Sequence, residues 1–340
     1  MADTAATGLE PVAVAVVAPV RLLPTPSDPA GRVVPADDRP TTADLGRLRA
    51  VLADLGRVVV AFSGGADSAF LACVATDTLG AANVLCATAV SPSLAPEERI
   101  DCEQLAAEWG LRWVEVVTDE LADPAYSAND GSRCYHCKAT LLDALGPLLA
   151  DDEAGDEAGD EAGDEADAHG AGSGPTATVV LGVNLDDLGD YRPGQRAAAE
   201  RGASFPLVDA GFTKADVRAW SRRLGLRTWD KPAAACLASR VPYGTAVTLT
   251  TLASVANAES GLRALGLSRL RVRHYGDTAR IEVPTDELTR VVDLRQAVVE
   301  AVHAAGYRYV TLDLEGLRSG NLNDALAEVS TVADRHGGGR

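Results

Sequence analysis

The stretch Ser-Gly-Gly-Ala-Asp-Ser at residues 63–68 stands between two apolar runs and has the composition of an anion-binding loop. Gly64 and Gly65 let the backbone approach a bound group closely. A helix that begins directly after them presents unpaired N–H groups and the positive end of its dipole. The loop therefore predicts a phosphate site, and an ordinary tight turn is the alternative.

Three side chains of this loop add to the predicted phosphate chemistry. Ser63 and Ser68 offer hydroxyl donors, and Asp67 beside phosphates is typical of a site that also holds Mg²⁺. The loop lacks the lysine that a P-loop directs at the β- and γ-phosphates. It therefore differs from the loop of the P-loop NTPases.

The pattern SGGxDS after a first strand resembles the PP-loop of the N-type ATP pyrophosphatases. The resemblance implies that residues 63–68 grip the β,γ-pyrophosphate of ATP, with Mg²⁺, while a substrate oxygen is activated as an adenylate. Attack then falls on the α-phosphate, whereas a P-loop kinase or NTPase stabilises transfer at the γ-phosphate. This difference explains the missing lysine, and the resemblance makes Asp67 a catalytic residue.

Residues 182–244 resemble the LarE family along their length, as do RVRHYGDTARIEV and YRYVTLDLEGLRSGNLND nearer the end. The resemblance covers roughly residues 43–328. LarE enzymes supply sulfur to a pyridinium dicarboxylate mononucleotide on the way to the nickel-pincer nucleotide. The resemblance thus implies an ATP-dependent sulfurtransferase that adenylates a carboxylate, releases pyrophosphate and installs sulfur as a thiocarboxylate.

A substrate with a phosphate and carboxylates requires a small cationic pocket, which arginines of the second half can supply. The candidates are Arg240, which follows Ser239, and the pair Arg271 and Arg273, which share one strand face. Glu259 is expected to orient an arginine. For any single arginine the sequence alone favours a surface salt bridge, and it is the LarE resemblance that favours substrate binding by Arg240 and by the pair Arg271 and Arg273.

Gly182 and Asn184 follow another predicted strand, and the resemblance places them near the nucleotide with the loop residues. Asp186 and Asp187 come next in the chain. They fit metal contacts, ribose contacts or solvated loop acids, and the sequence favours none of these roles.

Cys134-x-x-Cys137 is the only CxxC motif of the chain. Such a motif fits a redox pair, half a zinc site, part of an iron–sulfur site or a chance arrangement. A four-cysteine zinc site is disfavoured because no second CxxC exists, and His136 is an awkward ligand because it adjoins Cys137. Cys236 supplies a third thiol far away in the sequence. The other cysteines are predicted to pack in the core: Cys73, Cys86 and Cys102.

LarE-like proteins come in two kinds, and the chain resembles the kind with three cysteines. Three thiolates with one open iron suit a [4Fe–4S] cluster that binds exogenous sulfide. The resemblance makes Cys134, Cys137 and Cys236 catalytic residues and cluster ligands. In the other kind, a single cysteine gives up its sulfur and becomes dehydroalanine. That position aligns with Ala235 here, although Cys236 as a sacrificial donor stays an alternative.

A scaffold that positions these residues follows from hydrophobic periodicity. Strands and helices alternate in the first half, which predicts a doubly wound parallel α/β sheet; the resemblance implies its adenine nucleotide α-hydrolase-like version. The predicted helices are 42–56, 66–80, 95–110 and 213–226, and the predicted strands are 57–63, 83–90, 112–118 and 176–184. Thr213 is a plausible cap for the last helix. Ligands bind at the carboxyl ends of such strands.

The pattern changes from about residue 246, where a second, smaller α+β domain is predicted. Its predicted helices are 248–267 and 288–306, and its predicted strands are 269–276, 279–284 and 309–314. The two predicted domains thus span residues 43–245 and 246–330.

Three further segments are predicted to lie outside the folded cores. Residues 1–42 are expected to be a disordered tail, residues 331–340 a second tail, and residues 151–175 an acidic low-complexity insertion. The repeat within that insertion is interpreted as an inert solvated loop.

The charge balance bears on partners. The net charge is −18, and ten of the 49 acidic residues fall in residues 151–167. The remainder is still acidic, so nucleic acid is not an expected partner. This disfavours a tRNA thiolase of the same superfamily.

An amide-forming ATP pyrophosphatase is disfavoured because no glutaminase segment is visible, and a nucleotide-sensing module is disfavoured by the intact loop.

No stretch reaches the ~18 apolar residues of a membrane span. Six cysteines without a secretion signal predict a reducing cytoplasm. The expected partners are a small nucleotide substrate and a source of sulfide, and the resemblance implies a homo-oligomer.

Overall fold

The computed structural model describes residues 43–149, 177–189, 193–232 and 235–318. The predicted tails and the acidic insertion lie outside these ranges. Along the described ranges, no helix has the length and apolar character needed to cross a membrane.

Four parallel strands form the larger sheet. They are β1 (Val58–Ala61), β2 (Val84–Val90), β3 (Trp113–Val117) and β4 (Thr178–Val180), and their order is β3-β2-β1-β4. β1 is an interior strand, and its Val60 pairs with Cys86 of β2 and with Val180 of β4. Because the strands are parallel, their carboxyl ends meet at one edge of the sheet.

Helices cover both faces of this sheet. Among the described residues they are α1 (Leu45–Leu55), α2 (Ala66–Leu79), α3 (Pro96–Trp109), α4 (Pro124–Ser127), α5 (Arg133–Leu145), α6 (Pro193–Glu200), α7 (Pro206–Asp209) and α8 (Lys214–Arg223). Val58 and Val60 pack with α1, α2, α3 and α8, whereas Val59 packs with α5 and α6. The predicted doubly wound α/β class is therefore confirmed.

Helix ends follow signals in the sequence. α1 begins after Asp44, whose carboxylate accepts a hydrogen bond from the N–H of Gly46 at 2.8 Å. α8 begins after Thr213, the predicted cap, and Asp216 completes a capping box with it. α2 ends at Gly80, whose φ of +81° favours glycine.

The smaller sheet has three strands. They are β5 (Arg271–Tyr275), β6 (Thr278–Glu282) and β7 (Tyr309–Leu312), in that order, with β5 antiparallel and β7 parallel to β6. α9 (Leu249–Ala264), α10 (Leu288–Asp293) and α11 (Arg295–Ala304) share a core with it. Val272 of β5 and Val302 of α11 are fully buried there, and this mixed layer confirms the predicted α+β unit.

The sequence predicted one helix over 288–306, and this prediction is wrong. The chain leaves the helical region at Leu294, with φ −88° and ψ 9°, and this divides the segment into α10 and α11. Val291, Val292 and Asp293 directly precede the break, and all three are weaker helix formers than Ala or Leu.

Periodicity assigned no element to 119–149 or 185–212, where the structure forms α4, α5, α6 and α7. Three of these helices have only four to eight residues, too few for a clear periodic signal. α5 is longer and buries Leu141, Leu142 and Leu145.

A small apolar cluster joins the surroundings of the two sheets. It buries Tyr126 of α4 together with Leu252 of α9 and with Leu237, which lies between these two helices in the chain. Residues 237–240 form one 3₁₀ turn. The segment that begins with Cys236 is therefore held between the larger and the smaller sheet.

Candidate functional site

The SGGADS loop, residues 63–68, leads directly from β1 into α2. Gly64 has φ +65°, and a Cβ at this position would lie 2.9 Å from Cys102 Sγ, so glycine is required on both counts. Ser63 and Ser68 close the turn, since their hydroxyls are 3.0 Å apart and the N–H of Ser63 donates to Ser68 Oγ at 3.2 Å. The loop thus has the strand-to-helix context that its sequence predicted.

The start of α2 presents open backbone donors. Among the described residues, no acceptor pairs with the N–H groups of Gly64, Gly65, Ala66 or Asp67. The first bond of the helix runs from the N–H of Ala69 to the carbonyl of Gly65, at 2.9 Å. Open N–H groups at the positive end of a 14-residue helix can bind an anion.

Asp67 lies between two donors from other parts of the chain. Its carboxylate accepts a hydrogen bond from Asn184 Nδ2 at 3.1 Å and another from Lys214 Nζ. Asn184 is buried at the end of the β4 segment, whereas Lys214 is the first residue of α8. A loop without a lysine of its own therefore acquires a cation from α8.

Asp186 and Asp187 organise the backbone beside the loop. Asp187 Oδ2 accepts the N–H of Asn184 at 3.1 Å, and Asp186 Oδ2 accepts the N–H of Lys214 at 2.9 Å. Asp187 therefore holds Asn184 in place, and Asp186 holds Lys214. These are the two residues that contact Asp67.

The six cysteines divide by exposure. Three are buried in the core, as predicted: Cys73, Cys86 and Cys102. Cys134 and Cys236 are exposed, and Cys137 is partly buried. Cys134 and Cys137 lie three residues apart in the first turns of α5 and so share a helix face, whereas Cys236 precedes the 237–240 turn.

Cys137 is within electrostatic range of both other accessible thiols. Burial raises the pKa of Cys137 to about 12; Lys138 opposes this shift, while Cys236, Glu120 and Cys134 add to it. The thiol of Cys137 is therefore neutral at pH 7.

The accessible thiols do not form a compact single-ion site. Within the described ranges, no three His, Cys, Asp or Glu side chains are placed so that they could hold one metal ion. His136 Nδ1 lies 2.8 Å from Asp123 Oδ2, so this nitrogen faces a carboxylate.

Arg133, directly before Cys134, is a buried cation that pairs with no carboxylate of the described residues. Its Nη1 donates to Asn129 Oδ1 at 2.5 Å and to the carbonyl of Ala238 at 2.9 Å. Burial lowers the pKa of Arg133, but Cys236 and Cys134 contribute to a net rise. A fixed positive charge thus stands beside the accessible thiols.

Arg240 and Glu259 form a buried two-pronged pair. Arg240 Nε lies 2.8 Å from Glu259 Oε1, and Nη2 lies 3.1 Å from Oε2. Burial opposes ionisation, yet the charge of Arg240 holds the pKa of Glu259 below its ordinary value. Arg240 Nη1 also donates to the carbonyl of Ala235 at 2.6 Å and to Ser239 Oγ at 3.1 Å. Arg240 therefore fixes the main chain beside Cys236.

Arg273 and Arg271 differ in their partners. Arg273 is buried and donates to Glu282 Oε2 and to the carbonyl of Ser239, both at 2.9 Å. Arg271 has no carboxylate of the described residues within ion-pair distance and contacts the carbonyl of Arg318 at 3.3 Å. Burial and the two neighbouring guanidinium groups lower the pKa of Arg271. Of these three arginines, Arg271 is the most available to an anion.

The chain is similar to characterised and uncharacterised proteins over most of its length. It is 38% identical over 288 residues to the pyridinium-3,5-bisthiocarboxylic acid mononucleotide synthase of Lactiplantibacillus plantarum, a match that covers 84% of this chain and 96% of that protein. The chain belongs to the LarE family. An uncharacterised Synechocystis protein is 44% identical, with 84% of this chain and 98% of that protein covered. An uncharacterised Methanocaldococcus jannaschii protein is 24% identical, with coverages of 77% and 91%. No family model matches the chain.

In this LarE-family protein, the candidate residues form two neighbouring groups at the carboxyl edge of the larger sheet. The first surrounds the SGGADS loop and includes Asn184. The second surrounds the 237–240 turn and includes Arg240 and Arg273. The N–H of Leu237 donates to the carbonyl of Ser93, just after β2, at 2.8 Å, and this contact ties the second group to the sheet edge.

Gly182 brings the end of β4 against the start of α2. A Cβ at 182 would lie 2.7 Å from Ser68 N and 2.8 Å from the carbonyl carbon of Asp67, and both are backbone atoms. We expect Gly182→Ala to cost about 1–3 kcal/mol of unfolding free energy by overpacking and to displace the SGGADS loop. Thermal melting measures the first effect, and the amide chemical shifts of residues 63–68 report the second.

The matched control is Gly146→Ala, at a position where an added Cβ meets nothing within 4 Å. This variant is expected to melt at or slightly above the wild-type temperature, because Gly146 has helical φ and ψ that alanine adopts without strain, and to leave the loop in place. Unchanged melting of Gly182→Ala would contradict the close approach of β4 and α2.

Lys214 and Arg133 were not among the residues singled out from the sequence. Lys214 follows the recognised cap Thr213, but nothing local indicates that it meets a residue 147 positions earlier. For Arg133, the one signal in the sequence was its position directly before Cys134. Its lack of a carboxylate partner is a property of the tertiary structure.

Proposed function

We propose that this LarE-family protein is an ATP-dependent sulfurtransferase that converts carboxylates of a pyridinium dicarboxylate mononucleotide into thiocarboxylates. The L. plantarum relative is named for a bisthiocarboxylic acid mononucleotide product. The observation that carries the proposal is the SGGADS loop between β1 and α2, with its open N–H groups and with Asp67 bound to Lys214. The test is pyrophosphate release that requires both ATP and the mononucleotide. Release of inorganic phosphate and ADP instead would contradict it.

The proposed reaction has two steps. A carboxylate oxygen of the substrate attacks the α-phosphorus of ATP, the bond to the bridging oxygen breaks, and pyrophosphate leaves with the bonding pair. Hydrosulfide then attacks the acyl carbon, AMP leaves with the former carboxylate oxygen, and the proton of hydrosulfide passes to solvent. The products are a thiocarboxylate, AMP and pyrophosphate, and no electrons are exchanged with a redox partner.

The loop residues serve the first step. The N–H groups of Gly64, Gly65 and Ala66 bind the pyrophosphate as negative charge builds on it. Asp67 would hold Mg²⁺, since a carboxylate beside phosphates is a usual magnesium ligand, and the ion would neutralise charge on the phosphates. Lys214, which pairs with Asp67 in the free protein, supplies a further positive charge to the phosphates.

The accessible cysteines serve the second step, as in the three-cysteine kind of LarE protein. Cys134, Cys137 and Cys236 would hold a [4Fe–4S] cluster, which when bound offers an open iron for sulfide. The donors suit such a group, because all three are free thiols and none lies fully buried in the core. Arg133 supplies a fixed positive charge beside the thiolates, and Arg240 keeps the backbone of Ala235 in place.

Arg271 is proposed to bind the phosphate of the mononucleotide. We expect Arg271→Ala to weaken binding of the mononucleotide by about 10- to 150-fold, because a charge-assisted hydrogen bond contributes about 1.5–3 kcal/mol. ATP affinity should change much less, and titration calorimetry with each ligand measures both. Arg269→Ala, two residues earlier and exposed, is the control. A larger loss for ATP than for the mononucleotide would contradict the assignment.

Arg240→Ala has a different expected effect, because Arg240 is paired with buried Glu259. Removing one partner of a buried ion pair typically costs about 3–5 kcal/mol of unfolding free energy. Arg263 Nη2 remains 2.8 Å from Glu259 and reduces this cost. Arg240→Ala is therefore expected to melt at a lower temperature than Arg271→Ala.

A further inference from the structure

Lys231 connects the SGGADS loop to α3. Its side chain is 18% exposed, and its ammonium group donates to three acceptors: Asp101 Oδ2 at 2.6 Å, Glu98 Oε2 at 2.8 Å and the carbonyl of Gly64 at 3.2 Å. An ammonium group has three hydrogens, so each acceptor can take one.

The charge of Lys231 is secure in this position. Burial on its own lowers the pKa of Lys231, but hydrogen bonds with Asp101 and Glu98 raise the pKa above its ordinary value. The two carboxylates stand three residues apart on α3 and face the same side of the helix. Lys231 is therefore a fixed cation at neutral pH, and only one of its three contacts reaches the loop.

The contact with Gly64 determines which way a neighbouring donor points. The described peptide bonds are trans, and in a trans peptide the carbonyl of Gly64 and the N–H of Gly65 point in opposite directions. Lys231 attracts that carbonyl toward α3. The N–H of Gly65, which pairs with no acceptor of the described residues, must then point away from α3.

This peptide lies between two glycines, so side chains offer little resistance to its rotation. A rotated peptide would present a carbonyl oxygen where the predicted pyrophosphate needs an N–H. We propose that Lys231 is a positioning residue, which fixes the Gly64–Gly65 peptide so that the N–H of Gly65 is available to the pyrophosphate. This inference rests on the proposed function. Lys231 also lies five residues before Cys236. Its contact with Gly64 therefore links the chain near this exposed thiol to the SGGADS loop.

The test compares ligands that contain the pyrophosphate group with one that lacks it. Lys231→Met is expected to bind inorganic pyrophosphate and ATP about 10- to 100-fold more weakly in the presence of Mg²⁺, and to bind AMP as the wild type does. The ¹⁵N resonance of the Gly65 amide should also shift in the ligand-free variant. Loss of AMP affinity by the same factor, or an unmoved Gly65 resonance, would overturn the positioning role.

Arg227→Met is the matched control. Arg227 Nη2 lies 2.7 Å from Asp101, the carboxylate that it shares with Lys231, and Arg227 has no contact with the loop. Wild-type affinities are expected here, and an equal loss of pyrophosphate affinity would overturn the proposal. If Lys231→Met fails to fold, the same comparison uses Lys231→Met combined with Glu98→Gln, which removes the carboxylate left without a cation, while Asp101 keeps Arg227 as its partner.

The proposed function and the role of Lys231 can be contradicted separately. Wild-type protein that binds neither ATP nor pyrophosphate would overturn the proposed function and the role of Lys231 together. Wild-type binding combined with unchanged pyrophosphate binding by folded Lys231→Met would overturn the role of Lys231 alone.

Discussion

Asp67→Asn is expected to lower substrate-dependent pyrophosphate release by about 10²- to 10³-fold, which is the usual effect of removing one group aimed at transition-state charge. The substitution keeps the size of the side chain, but it replaces one of the two acceptor oxygens with an NH₂ donor, so the side chain can accept from only one of Asn184 and Lys214. It removes the negative charge that now pairs with Lys214 and that the proposed mechanism needs for Mg²⁺. Initial rates of pyrophosphate release, measured over a range of Mg²⁺ concentrations, should show both a lower maximum and a weaker response to Mg²⁺.

The matched control for this prediction is Asp77→Asn. Asp77 lies on the same helix, α2, and accepts a hydrogen bond from Arg49 at 2.6 Å on the surface. Wild-type rates are expected for Asp77→Asn because a surface ion pair contributes about 0–1 kcal/mol. A folded Asp67→Asn protein with wild-type rates would contradict the assignment of the loop.

The larger sheet was predictable because its signals are local. The apolar run that forms β1, the glycine loop and the apolar start of α2 follow one another without interruption, and β2 and β3 are again apolar runs on either side of the helix α3. Parallel strands then place the loop and Asn184 at one edge of the sheet. The short helices were not predictable in this way, because α4 and α7 have four residues each and complete little more than one turn.

The partners of the site residues depend on contacts that sequence periodicity does not encode. A pattern of arginines predicts a cationic pocket, but it does not separate Arg271 from Arg240, which is bound to Glu259. The same limit applies to cations that approach the loop from a distance. Lys214 and Lys231 lie 147 and 167 positions after their loop partners, and only the folded chain brings them there.

Replacing any one of the three accessible cysteines with serine is expected to abolish sulfur transfer while the first equivalent of pyrophosphate is still released at the wild-type rate. Cys134 and Cys137 are held on α5, and Cys236 on a separate segment, so none of them contributes to the SGGADS loop. Serine is a poor ligand for iron compared with a thiolate. Iron content and thiolated product, each measured per protein chain after anaerobic reconstitution, should fall together.

Cys86→Ala is the control for loss of a thiol in general. Cys86 is fully buried in β2, so the substitution leaves a small cavity and is expected to cost about 1–2 kcal/mol of unfolding free energy. Its iron content and its sulfur transfer should equal those of the wild type. Loss of iron in this variant would show that the assay responds to stability instead of ligation.

Turnover number separates the cluster route from the sacrificial route. A donor that can be reloaded with sulfide forms more than one equivalent of thiolated product, whereas a sacrificial cysteine stops at one equivalent and the chain loses the mass of H₂S. The LarE resemblance assigns the position of the sacrificial cysteine to Ala235, so we expect reconstituted wild-type protein to be brown and to exceed one equivalent when sulfide is supplied. A colourless protein that stops after one equivalent, with dehydroalanine at position 236 by mass spectrometry, would show instead that Cys236 gives up its own sulfur. Cys134→Ser would then transfer sulfur normally, whereas the cluster route requires that this variant fail.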